Sequence, residues 1–261
     1  MKIRISLIQM DIKLGDPNKN REYAINLINE AVRRGSHIVT LPELWTTGYS
    51  LEIIDKVAEP LNGPTVAQLS NIASNHGIYI IGSFIERKDN KFYNTAPLIG
   101  PNGIIGVYRK IHLFKLMNED LYFTPGDSCD VYQTNFGKIG IVICYDIRFP
   151  ELIRSIALKG AKILFVVAEW PHPRMHHWRY LLMARAIENQ IFVVATNRVG
   201  NDENNKFFGH SMIIDPMGEV LIESGEIETI LTSDIELSEV DNVRSKFPFL
   251  TDRKPEFYKI L

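Results

Sequence analysis

Short apolar segments rich in Ile and Val alternate with amphipathic segments along the whole chain. Residues 2–9 alternate apolar and polar side chains with a period of two, which predicts a β-strand. Asp16 and Pro17 then supply a helix cap and a first-turn proline, and apolar residues follow at helical spacing over 24–32. This alternation predicts an α/β fold in which helices cover a sheet.

The remaining segments add strands that pair in both directions. A hairpin is predicted from residues 96–99 and 104–108, joined by a turn at Asn102-Gly103. Further strands are predicted at 37–41, 78–84, 140–144, 162–168, 191–196, 210–214, 219–222 and 228–234, and further helices at 66–74, 151–159 and 174–189. The pattern predicts a mixed sheet covered by helices, or two such sheets stacked. Because no linker interrupts it, we expect one domain over residues 1–261.

Composition argues against several kinds of partner. The 29 Lys and Arg residues nearly balance the 31 Asp and Glu residues, without a charged tail, so nucleic acid is not an expected partner. The longest apolar runs, 163–168 and 191–195, are far shorter than the about 20 residues that cross a bilayer. The first residues show no export signal, and Cys129 and Cys144 are interpreted as free thiols. We therefore expect a cytoplasmic protein without a membrane partner.

Cys144 has the position of a nucleophile. It ends an apolar run and precedes Pro150, which is placed to open a helix, so backbone N–H groups lie nearby in sequence. The alternative, a small apolar core residue, stays open on the cysteine alone. Cys129 lies in a polar loop and is interpreted as a surface thiol.

A thiol nucleophile needs a base. None of the seven histidines lies in a sequence that marks it as a cysteine partner, although His112 and His210 remain possible. Glu43 is a second candidate, because it follows a strand and is flanked by apolar residues that would raise its pKa on burial. A surface glutamate after a strand is the alternative.

Lys110 also ends a strand between apolar neighbours, where a fixed ammonium would stabilise a developing oxyanion. A solvated lysine is the alternative reading. His172, His176 and His177 have partly helical spacing, but Pro173 interrupts the helix, so no metal site is expected there.

Three segments then resemble the signatures of the nitrilase superfamily of carbon–nitrogen hydrolases. They are residues 42–44 (PEL), 108–114 (YRKIHLF) and 143–151 (ICYDIRFPE). Residues 119–126, 178–189, 209–211 and 215–218 are similar to later segments of that family, in the same order. The resemblance covers nearly the whole chain.

The resemblance implies a four-layer αββα sandwich of two mixed β-sheets flanked by helices, and pairing into a homodimer or a higher homo-oligomer. It implies Glu43 as general base, Cys144 as nucleophile, and Lys110 with the backbone N–H of Tyr145 as oxyanion donors. Glu119 would position the substrate or support the base. No metal and no cofactor are implied.

Residues 44–49, 112–117, 168–171 and 184–190 are most similar to the ω-amidase group, which includes bacterial 2-oxoglutaramate amidases associated with methionine salvage. The implied substrate is a small ω-amide with an α-keto acid at its other end. A carboxylate needs a cationic clamp, for which Arg174 is the candidate, with a surface arginine at a helix start as the alternative. Tyr49 and Trp170 are candidate pocket walls, with simple core packing as the alternative.

Other assignments stay open on the sequence. A nitrilase, an N-carbamoyl amino acid hydrolase or a deaminated-glutathione amidase would share the same catalytic residues. A catalytically silent scaffold of the same fold is a further alternative, against which the intact Glu43, Lys110, Cys144 and Glu119 argue. Arg185 and Glu188 are expected to form a structural ion pair. Asp146, Arg148 and Glu151 are expected either to orient the turn around Cys144 or to serve a subunit interface.

Overall fold

The computed structural model describes residues 2–258 and contains two large mixed sheets. Strands are numbered in chain order. The first sheet has the order β15-β1-β2-β3-β5-β4, with β6 also paired to β5. Its strands are β1 (Lys2–Gln9), β2 (Ile38–Thr40), β3 (Tyr79–Ile81), β4 (Phe84–Lys88), β5 (Lys91–Gly100), β6 (Gly103–Arg109) and β15 (Thr229–Glu236).

The second sheet has the order β14-β13-β10-β9-β8-β7, and its three central strands are parallel. Its strands are β7 (Val131–Thr134), β8 (Gly137–Ile143), β9 (Ile163–Ala168), β10 (Phe192–Asn197), β13 (Met212–Ile214) and β14 (Val220–Glu223). Strands β11 (Val199–Asn201) and β12 (Lys206–Phe208) form a separate antiparallel ribbon.

The α-helices of the described chain lie around the two sheets. They are α1 (Pro17–Arg33), α2 (Ile54–Val57), α3 (Pro64–His76), α4 (Glu119–Tyr122), α5 (Pro150–Leu158), α6 (Met175–Asn189) and α7 (Ser238–Lys246). Apolar residues of α1 and α3 pack on the first sheet, and those of α5 and α6 pack on the second. The predicted four-layer αββα sandwich is confirmed.

The alternation in β1 explains how the layers form. Ile3, Ile5 and Leu7 pack into the cluster between the sheets, whereas Ile8 packs into the cluster beneath α1 and α3. A strand with a period of two thus supplies both layers at once. Burying each such side chain contributes about 1.5–3 kcal/mol, so the apolar alternation sets the stacking.

The strand predicted at 78–84 is wrong in one respect, because the chain breaks it into β3 and β4 at Gly82 and Ser83. A Cβ on Gly82 would lie 2.7 Å from Leu41 Cβ. Ser83 is also withdrawn from the sheet: its Oγ accepts from Leu44 N at 2.8 Å and its carbonyl accepts from Trp45 N at 3.0 Å. The break therefore anchors the turn that carries Glu43.

Other differences lie at strand ends and in weakly patterned segments. The strand predicted to include Cys144 ends at Ile143, and β7, the β11–β12 ribbon and α7 were not predicted from the sequence. Between residues 2 and 258, no helix is long and apolar enough to cross a membrane. Residue 1 and residues 259–261 of the predicted domain lie outside the described residues.

Candidate active site

Three strand ends bring the candidate residues together. Glu43 follows β2 and Lys110 follows β6 in the first sheet, whereas Cys144 follows β8 in the second. Strand β6 runs in the same direction as β3, because both are antiparallel to β5. The side chains therefore meet at one edge of the stacked sheets, where carboxyl ends of parallel strands commonly hold active sites.

Cys144 occupies a tight turn at the end of β8. Its φ of 46° lies in the left-handed region, which is rare outside glycine and marks a constrained position. Asp146 fixes this turn, because its Oδ2 accepts from Ile143 N at 3.0 Å and from the Tyr108 hydroxyl at 2.7 Å. Its Oδ1 accepts from His112 N at 3.0 Å. Asp146 thus orients the turn and ties it to the segment that carries Lys110.

Lys110 lies between two carboxylates, and all three side chains are fully buried. Its Nζ donates to Glu43 Oε1 at 2.8 Å and to Glu119 Oε1 at 2.5 Å. An ammonium has three N–H donors, so these contacts leave one for another acceptor. The alternative of a solvated lysine is excluded, because the Lys110 side chain is buried.

Glu43 is held at both of its oxygens. Oε1 accepts from Lys110, from Asn94 Nδ2 at 2.8 Å and from the Tyr49 hydroxyl at 2.9 Å. Oε2 accepts from the backbone N–H of Glu169 at 2.9 Å. The less crowded oxygen, Oε2, keeps capacity to accept a proton.

Glu119 begins the short helix α4 and is also fixed. Its Oε2 accepts from the backbone N–H of Phe114 at 2.7 Å, and its Oε1 lies 2.5 Å from the Tyr49 hydroxyl. Tyr49 thus lies between the two glutamates, and its single hydroxyl hydrogen serves one of them at a time.

Burial and charge set the protonation states. Burial raises the pKa of the Cys144 thiol well above its ordinary value, and the Glu43 carboxylate raises it further against the opposing effect of Lys110. Burial also raises the pKa of Glu119. Burial alone would lower the pKa of Lys110, but the charges of Glu119 and Glu43 outweigh it and raise that pKa. The thiol is therefore neutral at rest, and a base has to remove its proton.

The histidines that the sequence left open are engaged elsewhere. His112 Nδ1 lies 2.8 Å from Asp146 Oδ1, and the ring stacks on Phe149. His210 Nδ1 lies 2.8 Å from Glu223 Oε1. The Glu43 carboxylate, in contrast, acts on the Cys144 thiol and raises its pKa, so Glu43 and not a histidine is the base candidate of this site.

A narrow cleft opens above Cys144, which is 8% exposed. Its lining residues are Phe114, Met117, Cys144, Arg148, Glu169, Trp170, Pro171 and Arg174. The guanidinium of Arg148 lies over Trp170, 4.7 Å from the ring centroid, and that of Arg174 lies 5.4 Å from the Phe114 centroid. Two guanidinium groups thus line the narrow cleft beside Cys144, and their charge favours an anionic group there.

The other predicted residues lie close by. Tyr145 follows Cys144, and its ring packs against Phe114 and Phe149. Tyr49 lines the neighbouring depression with Met117 rather than the cleft itself. Cys129 is half-buried near Ser155 and Lys159, away from the site.

Two further expectations concern charged residues. Arg185 and Glu188 form the expected ion pair at 2.9 Å, and Arg185 Nε also donates to the Ile147 carbonyl at 2.8 Å. In the described part of the chain, no group of three or more His, Cys, Asp or Glu side chains is placed to hold a metal ion.

Three further residues of the site, Asn94, Glu169 and Arg198, were not predicted from the sequence. Glu169 and Arg198 are buried, and Arg198 Nη1 donates to Glu169 Oε2 at 2.9 Å. A charged residue directly after each of the apolar strands β9 and β10 was the available signal, because such residues at strand ends meet at the same edge.

Comparisons with known proteins agree with this geometry. A model of the carbon-nitrogen hydrolase family matches residues 4–245. A 2-oxoglutaramate amidase of Bacillus subtilis is 44% identical over 260 residues, which cover 99% of this chain and 100% of that protein. An omega-amidase of Xenopus tropicalis is 37% identical over 276 residues, which cover 99% of this chain and 98% of that protein.

Solved structures show the same fold. A CN-hydrolase superfamily protein of Xanthomonas campestris, whose crystal structure has an arsenic adduct in the active site, is 36% identical with a TM-score of 0.92, covering 100% of this chain and 99% of that one. A nitrilase-superfamily member of Saccharomyces cerevisiae is 30% identical with a TM-score of 0.89, covering 98% and 97%.

Proposed function

Because the chain belongs to the carbon-nitrogen hydrolase family, we propose that it hydrolyses a small ω-amide such as 2-oxoglutaramate to a carboxylate and ammonia. The observation that carries this proposal is the buried cluster of Cys144, Glu43, Lys110 and Glu119 beneath a small cleft. A binding protein would have no use for a strained cysteine beside a base and a charged lysine.

In the first half of the proposed reaction, Glu43 Oε2 accepts the proton of the Cys144 thiol, and the sulfur attacks the amide carbon. The third N–H of Lys110 and the backbone N–H of Tyr145 stabilise the oxyanion. The C–N bond then breaks as Glu43 returns the proton to the departing nitrogen. Ammonia leaves, and the acyl group remains on Cys144 as a thioester.

In the second half, Glu43 accepts a proton from a water molecule, whose oxygen attacks the thioester carbon. The C–S bond breaks, the product leaves as a carboxylate, and the thiol regains its proton. One base thus serves both displacements. Glu119 and Tyr49 hold Lys110 and Glu43 in place through the contacts described above.

The arginines of the cleft support an anionic substrate. Arg148 and Arg174 both line it, and neither pairs with a carboxylate of the described chain. Burial lowers the pKa of Arg148, and the neighbouring Arg174 charge lowers it further. A substrate carboxylate between the two guanidinium groups would relieve this repulsion. The aromatic ring of Trp170 forms the wall behind Arg148.

The finer features of the proposal rest on the family resemblance. The whole chain would form one domain, act in the cytoplasm as a homodimer or a higher homo-oligomer, and serve methionine salvage. Exposed apolar side chains on α6, Tyr180 and Ile187, are consistent with a subunit contact.

The test is ammonia release from 2-oxoglutaramate, with glutamine, a carbamoyl amino acid and a simple nitrile assayed in parallel. We expect rapid turnover of the keto-amide that is lost in Cys144→Ala and retained in the matched Cys129→Ala variant. Turnover of another compound alone would keep the catalytic cluster and reject the substrate. Turnover by Cys144→Ala at the wild-type rate would reject the mechanism.

A further inference from the structure

Glu169 is a buried acid that the proposed mechanism does not use. It follows β9 and is fully buried, and its backbone N–H donates to Glu43 Oε2. Its carboxyl oxygen Oε2 accepts from Arg198 Nη1 at 2.9 Å. Its other oxygen, Oε1, is buried without a hydrogen-bond partner among residues 2–258. Glu169 lines the same cleft as Cys144.

Glu86 provides the matched case of a buried glutamate paired with an arginine. Its Oε1 accepts from Arg109 Nη2 at 2.7 Å, and its Oε2 accepts from Arg109 Nε and Thr95 Oγ1, each at 2.7 Å. Both oxygens of Glu86 are therefore occupied. Leaving a buried polar atom unpaired costs about 1–3 kcal/mol. A ligand that forms a hydrogen bond with Glu169 Oε1 would remove this cost.

The surroundings of Glu169 favour its neutral form. Burial raises the pKa of its carboxyl to about 8, and Arg198 opposes this rise only in part. The charged and titratable groups that face Glu169 are Arg198, Glu43, Asp202 and Tyr49. Cys144, Arg148 and Arg174 line the same cleft. Because Oε2 accepts from Arg198, the proton of the neutral acid belongs on Oε1.

We propose that Glu169 is a specificity-determining residue that donates a hydrogen bond from Oε1 to the 2-oxo oxygen of the substrate. This inference rests on the function proposed above. Arg148 and Arg174 then bind the adjacent carboxylate, so Glu169 and the two arginines offer only donors to this end of the substrate. A 2-oxo acid presents only acceptors at that end, whereas a 2-amino acid would place an ammonium against them.

The experiment compares two substrates that differ only at the 2-position: 2-oxoglutaramate and glutaramate, which lacks the 2-oxo oxygen. The kcat/KM ratio of the two is measured for the wild type, Glu169→Ala, Glu169→Gln and the control Glu86→Gln. Glutamine retains one acceptor for Arg198 and one donor for the cleft, so it imitates the neutral acid. Circular dichroism verifies folding of each variant.

We expect Glu169→Ala to reduce the ratio roughly tenfold by losing kcat/KM for 2-oxoglutaramate, the effect of one lost hydrogen bond. Glu169→Gln and Glu86→Gln should keep the ratio. The wild-type kcat/KM for 2-oxoglutaramate should also fall above pH about 8 in a way that Glu169→Gln abolishes.

Equal losses for both substrates in Glu169→Ala would assign the residue a structural role and overturn the inference alone. A ratio that collapses in Glu169→Gln would show that the ionised form binds, which also overturns it. If the wild type hydrolyses neither compound, the proposed function fails, and the inference fails with it.

Discussion

The apolar interior of the second sheet and the edge of the stacked sheets that carries the candidate active site are equally buried but differ in chemistry. In the interior, Val142, Phe165 and Val194 are completely buried among apolar side chains. At the edge, Glu43 and Lys110, which follow strands of the first sheet, are buried to the same extent and carry opposite charges. Burial thus stabilises the apolar interior directly, whereas it destabilises the charged edge unless other contacts compensate.

The charged groups at the edge are stable because other contacts compensate for their burial. Moving an ion out of water costs several kcal/mol unless hydrogen bonds and opposite charges compensate. The edge meets this need with Lys110 between two carboxylates, and with donors from Asn94 and the Glu169 backbone. The apolar interior holds the strands rigidly, so these groups stay at their distances.

Replacing Lys110 should give the largest effect. Lys110→Met leaves Glu43 and Glu119 buried without their shared cation, so we expect a loss of about 3–5 kcal/mol in the free energy of unfolding. Loss of the oxyanion donor should lower kcat by roughly 10³-fold. Urea denaturation and ammonia release measure the two effects.

The matched control is Lys91→Met, at the exposed start of β5, which should change the free energy of unfolding by less than about 0.5 kcal/mol. A Lys110→Met protein as stable as the wild type would contradict this prediction, because the buried Glu43 and Glu119 would then need no compensating cation.

The stability of Glu169→Gln should depend on pH. Folding raises the Glu169 pKa from 4.5 to about 8, so its stabilising contribution is complete below pH 4.5 and is lost as the pH rises through about 8. Relative to the wild type, Glu169→Gln should therefore gain at most about 5 kcal/mol between these limits. Denaturant titrations at pH 5, 7 and 9 measure this gain. A pH-independent difference would contradict it.

A change in the apolar interior should separate stability from catalysis. Phe165→Ala removes a fully buried ring of β9, and we expect the free energy of unfolding to fall by about 3–4 kcal/mol. The kcat of the protein that remains folded should stay close to the wild-type value. A large loss of kcat in fully folded Phe165→Ala protein would show that packing in the interior controls the geometry of the site at the edge, and would contradict this prediction.

The sequence predicted the elements whose signals are local. The apolar runs located β8, β9 and β10, and Asp16 caps α1 as predicted, accepting from Lys19 N. Glu43 and Lys110 were recognisable because each directly follows a strand. Helix α7 was missed because its nine residues include a single buried one, Val240.

Contacts between distant segments were not predictable in the same way. The bond from Glu169 N to Glu43 joins residues 126 positions apart and exists only once the two sheets stack. Tyr49 was predicted as a pocket wall, but its hydroxyl lies within hydrogen-bond distance of both Glu43 and Glu119, a role that composition does not reveal. The break at Gly82 likewise depends on the Leu41–Trp45 turn packing against it.

The proposed thioester intermediate is tested most directly by trapping the acyl group on Cys144. A reaction with 2-oxoglutaramate is quenched within the first turnover and digested, and a parallel reaction contains hydroxylamine. We expect the mass of the Cys144 peptide to increase by the mass of the substrate minus the mass of ammonia. In the parallel reaction we expect a hydroxamate product. Continued turnover with Cys144 unmodified at every quench time and no hydroxamate formed would contradict it.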